Sequence, residues 1–168
     1  MKMILIIMIG FSSLSFLTSV TNVRENFHSS INNEDGLRKL VVSKSFPDSY
    51  VTRGYKGVAK SMLAEFAFFP TTKLQYFNSG TAMIDKCIGA SANNVELRYM
   101  RLLVQINAPS LLGYSSKIST DLSYLKQYLP KSSISKAWKG KFIDNLLAGK
   151  YLSKSQRDML KVLKASFK

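Results

Sequence analysis

Arg98, Arg101 and Gln105 recur at intervals of three and four, the spacing that aligns side chains along one face of a helix, and Asn107 lies just beyond them. Two guanidinium groups in such a row present forked N–H donors that match a carboxylate or a phosphate. Upstream, Gly54-Tyr55-Lys56-Gly57 sets a phenol and an ammonium between glycines, which leave the backbone open to a neighbouring helix or a ligand. If the two segments converged, Tyr55, Lys56, Arg98, Arg101, Gln105 and Asn107 would form a binding site for a carboxylate, a phosphate or an acidic peptide. The same residues also support a purely structural reading, in which Glu65 or Glu96 pairs with the arginines and orients the helices.

A second constellation is electrostatic. Lys154, Arg157, Lys161, Lys164 and Lys168 step by three and four down one helical face, while Met159, Leu160, Leu163 and Phe167 occupy another. Such a basic amphipathic helix can lie on an anionic membrane surface or steer an acidic partner. It can equally dock its apolar side on a core and leave its lysines in water. Residues 117–168 hold 12 Lys/Arg against three Asp, whereas residues 21–116 hold 11 against seven Asp/Glu, so the charge is concentrated at the C-terminal end.

For catalysis the strongest candidate is Glu65, beside Phe66, Phe68 and Phe69, rings that could give a general acid its apolar surroundings. An envelope hydrolase acting on glycan or peptide would use it that way; as a structural residue it would simply sit in an ion pair. His28 is the only histidine and Cys87 the only cysteine. A two-histidine metal centre, a thiolate zinc cluster and an intramolecular disulfide are therefore excluded. No cofactor, metal or catalytic motif is expected, and the preferred reading is a non-enzymatic binding or scaffold protein.

At 168 residues, 46% hydrophobic and 20% charged, the chain has the composition of a globular protein despite a net charge of +14. It is long enough to bury a core without disulfides. Residues 1–20 have the layout of a secretory signal: Lys2, an apolar run from Met3 to Phe11, then a Ser/Thr-rich stretch with small residues suited to cleavage between Ser15 and Thr21. An uncleaved anchor is the alternative, weakened by the hydroxyl residues in its second half. A periplasmic or secreted location follows, and it turns the basic charge away from nucleic acid towards acidic proteins, acidic peptides, anionic envelope polymers or an anionic membrane surface. No zinc finger or helix-turn-helix pattern supports nucleic-acid binding.

Positioning these residues falls to helices. Residues 21–35 are polar and read as a short flexible lead-in; residues 36–168 read as a single helical domain, most basic over 131–168. Leu37, Leu40 and Val41 mark a first helix ended by Pro47, and Asp48 or Ser49 caps a second through Val51, Tyr55, Val58, Met62 and Phe66. Thr71 or Thr72 starts a third, closed by Gly89, and Asn93 or Asn94 a fourth that Asn107-Ala108-Pro109 stops. A fifth runs through Ile118, Leu122, Leu125 and Leu129, a sixth from Ile134 to Leu146 with Gly149 as its stop, and Ser153 with Gln156 forms a capping box for the last. The expected fold is all-α: about seven helices in a short antiparallel array.

Two resemblances accompany this pattern. Gly80, Cys87 and Ala92, followed by Asn93-Asn94-Val95-Glu96-Leu97, resemble the junction between two tetratricopeptide repeats, with Ala92 where that family has proline and Pro70 interrupting the upstream half. Over Arg53 to Leu129, the segments Gly54-Tyr55-Lys56-Gly57, Lys73 to Phe77, Asn94 to Arg101 and Gln105 to Tyr114 resemble a family of uncharacterised exported helical proteins of the Bacteroidetes type. The resemblances imply helical hairpins and export; they imply no reaction.

Overall fold

A computed structural model describes residues 20–167. The expected signal segment and Lys168 lie outside the described residues, apart from Val20. The fold is all-α, with eight α-helices and no strand among the described residues. They are α1 (residues 20–30), α2 (Glu34–Val42), α3 (Tyr50–Met62), α4 (Pro70–Ala90), α5 (Val95–Gln105), α6 (Ile118–Tyr128), α7 (Lys136–Leu147) and α8 (Lys154–Ala165). None is long and apolar enough to cross a membrane. By packing, the described residues divide into two compact units, split between Cys87 and Ile88, where the sequence suggests one domain over 36–168.

Helix α1 corrects the expectation of a flexible lead-in. Val23 and Phe27, four apart, fall on one face and are fully buried, while the polar residues that colour the composition, such as Asn22 and Asn26, point to water. Phe27 packs on Tyr55 of α3 with ring centroids 5.1 Å apart. The Asn33 side chain then accepts from the Gly36 N–H and caps α2.

Helix α3 starts where Ser49 accepts from the Thr52 N–H, and it meets α4 at a pair of glycines. A Cβ on Gly57 would lie 2.9 Å from the Gly80 carbonyl oxygen, and one on Gly80 would lie 2.5 Å from the Gly57 carbonyl oxygen. Backbones this close tolerate no side chain, which explains why α3 accepts the helix-propensity cost of glycine. Helix α4 begins ahead of both threonines expected to cap it: Pro70, needing no N–H partner in the first turn, opens it. It also runs through Gly89 to Ala90, because no left-handed residue intervenes to end it.

In the second unit, Asn94 accepts from the N–H groups of Glu96 and Leu97 and starts α5. Two 3₁₀ turns, Ser110–Leu112 and Ser115–Lys117, carry the chain to α6, with Gly113 between them at φ 69°, the left-handed region that suits glycine. Tyr99 of α5 stacks on Phe142 of α7 at 4.1 Å, and Asn145 donates to the Tyr99 hydroxyl at 3.1 Å. The α7–α8 connection is tied to the end of α5, where the Tyr151 N–H donates to the Ile106 carbonyl at 2.9 Å. Gly149 stands just past the end of α7, where the sequence reads a helix stop, and also provides clearance: a Cβ would lie 2.5 Å from the Ile106 side chain.

Candidate functional site

The arginine stripe faces inward. On α5, Tyr99, Leu102 and Ile106 fill the core, and the adjacent face turns Arg98, Arg101 and Gln105 towards α6 and the turn before it. Asp121, in the first turn of α6, is 0% exposed and meets Arg101 at two points: Nε donates to Oδ2 and Nη2 to Oδ1, both at 2.7 Å. Arg98 Nη1 donates to the same Oδ1 at 3.3 Å, its Nη2 reaches the Ala92 carbonyl at 3.3 Å, and its guanidinium lies 5.1 Å from the Tyr124 ring centroid. One carboxylate thus serves two guanidinium groups. The bidentate geometry suits a buried ion pair, in which the desolvation of each charge is offset only by close contact with the other.

The remaining members of the expected site are likewise engaged within the fold. Gln105 Nε2 donates to the Tyr114 carbonyl at 2.9 Å and orders the loop between α5 and α6. Asn107 Nδ2 donates to the Leu103 carbonyl at 2.8 Å, while its Oδ1 accepts from the Lys150 N–H at 3.3 Å. Tyr55 is fully buried against Phe27, and Lys56 Nζ donates to the Ser43 carbonyl at 2.5 Å, closing the end of α2. The guanidinium, amide and ammonium donors expected to converge on an external anion hold carbonyls and Asp121 instead.

Asp121 is a partner of the arginines beyond Glu65 and Glu96, the two carboxylates that the sequence offers for them. Its signal in the sequence is positional: it is the only acid between Glu96 and Asp144, and it borders the inward stripe of Ile118, Leu122 and Leu125. Glu65 ends a short 3₁₀ turn and is exposed, as are Phe66, Phe68 and Phe69. The apolar enclosure that a general acid there would need does not surround it.

The basic helix α8 combines structural and exposed cations. Its capping box forms as expected; Leu160, Leu163 and Phe167 are buried, Met159 is half-buried and Val162 is exposed. Arg157 donates to the carbonyls of Leu147 and Gly149 at 2.5 and 2.7 Å, completing the C-terminus of α7. Lys164 pairs with Asp144 at 2.5 Å and Lys161 with Asp158 at 3.7 Å; Lys154 is exposed. Lys139, unremarked in the sequence, is buried and donates to the carbonyls of Pro130 and Ser132 at 2.9 and 2.8 Å, closing α6 in the same way.

Outside these contacts lies a set of exposed lysines: Lys117, Lys126, Lys131, Lys136 and Lys141, with Lys141 4.8 Å from the Trp138 ring centroid. Among the described residues no cluster of His, Cys, Asp and Glu is arranged to hold a metal ion. Burial pushes the Cys87 thiol up, which favours its unreactive protonated form. No protein-family model matches the sequence, and no curated protein or solved structure matches it.

Proposed function

We propose that this chain is an exported, non-enzymatic binding or scaffold protein of the cell envelope, and that it recognises an acidic partner through the exposed lysines of residues 117–168. The observation that carries this reading is the fate of the acids. Asp121, Asp144 and Asp158 are the only carboxylate side chains in that stretch, and each is paired internally, with Arg98 and Arg101, with Lys164 and with Lys161. The surplus charge therefore resides on lysines in water, where a field of one sign attracts an acidic protein, an acidic peptide or an anionic polymer. Export is supported by the Lys2 and apolar-run pattern of residues 1–20 and by the resemblance to exported Bacteroidetes-type helical proteins. The tetratricopeptide-like junction at Gly80, Cys87 and Ala92 belongs to the same reading, as a helical scaffold.

The test is capture of solubilised envelope components at low salt by the native chain and by a Lys126→Gln/Lys131→Gln/Lys136→Gln/Lys141→Gln variant. An acidic component held by the native chain, released as salt rises and lost from the variant, is the expected result. Equal retention by both chains, or capture of nothing, counts against the reading.

A further inference from the structure

The connection between α3 and α4 holds an apolar feature that the lysine surface does not explain. Phe68, 87% exposed, is the most exposed large apolar side chain among the described residues, and its neighbour Phe69 is 63% exposed. Their rings meet edge to face at 5.1 Å and 89°. Phe66 and Leu74 are also exposed on either side. The local chain enforces this display: the 3₁₀ turn Leu63–Glu65 ends α3, Pro70 opens α4, and the Gly57–Gly80 contact holds the two helices together. A side chain exposed to this degree has almost no protein around it. The feature is a protrusion, not a groove.

We propose that Phe68 and Phe69 form a wedge that docks the protein on an anionic lipid bilayer, with the rings at the boundary between headgroups and acyl chains. Phenylalanine has no polar handle, so its exposed ring gains by leaving water, and a deformable bilayer accommodates a convex tip without a matching pocket. Charge selects the occupant. A second copy of the chain would bring another +14 and be repelled, whereas an anionic surface attracts the protein. Lys73, exposed in the first turn of α4, and Lys60, near the end of α3, are the basic residues nearest the two rings along the chain; Glu65 is the only acid between Asp48 and Asp85. This wedge rests on residues of the first unit and holds whichever acidic partner the lysines of residues 117–168 recognise.

The experiment uses the full chain carrying Trp138→Phe, which removes the only native tryptophan, and Phe68→Trp, which places a reporter at the tip. Vesicles of phosphatidylcholine and phosphatidylglycerol in equal parts are compared with pure phosphatidylcholine. The expected result is a blue shift of the tip indole on the anionic vesicles and its quenching by acyl-chain-brominated lipid. Without the reporter, Phe68→Ser/Phe69→Ser should weaken vesicle binding by about tenfold or more, with any contribution from residues 1–20 common to both chains. The paired serine change should leave capture of the acidic envelope component intact, which separates failure of the wedge from failure of the lysine surface. Vesicle binding without an emission change, absence of vesicle binding, or an emission change that follows protein concentration without lipid and accompanies a doubled mass would each overturn the proposal.

Discussion

Arg101 and Asp121 form a two-point ion pair at 2.7 Å in a place where the carboxylate is fully buried, and Arg98 shares the same acceptor. Replacing Asp121 by alanine removes the carboxylate that both guanidinium groups share next to the core. Asp121→Ala should destabilise the fold by about 3–5 kcal/mol in urea unfolding, and Arg101→Ala should cost more than Arg98→Ala, whose contact is longer and more exposed. A change below about 1 kcal/mol for Asp121→Ala would mean that the pair does not anchor α5 to α6.

The glycine contact between α3 and α4 predicts opposite signs at two helical glycines. Gly80→Ala forces a methyl group against the Gly57 carbonyl and should destabilise by about 1–3 kcal/mol. Gly140→Ala, in α7 with nothing within 4 Å of the new methyl, should stabilise by about 0.5–1 kcal/mol through helix propensity. Thermal unfolding of the two variants beside the native chain checks both.

Tyr99 sets an alkaline limit. Burial pushes its hydroxyl above the ordinary tyrosine value, with the Asn145 hydrogen bond opposing the shift. The unfolded chain ionises this group at about pH 10 while the folded chain keeps it neutral. Its contribution to stability is thus intact below about pH 10 and is lost as pH rises from there towards the folded-state value. Tyr99→Phe should flatten that alkaline loss and cost about 1 kcal/mol at neutral pH through the missing hydrogen bond. Denaturant titrations at neutral and alkaline pH compare the two chains.

Helix α8 should not be separable as a charged tail. Deleting residues 153–168 removes the buried Leu160 and Leu163, each contributing roughly 1.5–3 kcal/mol, together with the Arg157 bonds that finish α7. The shortened chain should unfold its second unit, seen as a loss of helical circular dichroism. Lys154→Gln/Lys161→Gln removes charge from exposed positions and should change stability by no more than about 0.5 kcal/mol.

What the sequence made legible was local. Ser49, Asn94 and Ser153 cap their helices as read, because a cap depends on residues two or three positions away. Gly57 was legible as a point of close approach, but its partner was hidden, since Gly80 suggested a repeat junction and helix pairing is not local. Helix α1 escaped because its asparagines and serines outweigh a single buried pair, Val23 and Phe27. In the candidate site, the spacing of Arg98, Arg101 and Gln105 correctly put them on one face but could not say which way that face turns. Asp121, which turns it inward, lies across a loop whose path depends on Gln105 and Gly113.

The most direct measurement is the affinity of the captured acidic component for the native chain and for the Lys126→Gln/Lys131→Gln/Lys136→Gln/Lys141→Gln variant across a series of salt concentrations. Recognition through these lysines predicts that native affinity falls steeply with salt, and that the variant binds more weakly with a flatter dependence while remaining folded. Equal affinity and equal salt dependence in the two chains would contradict it.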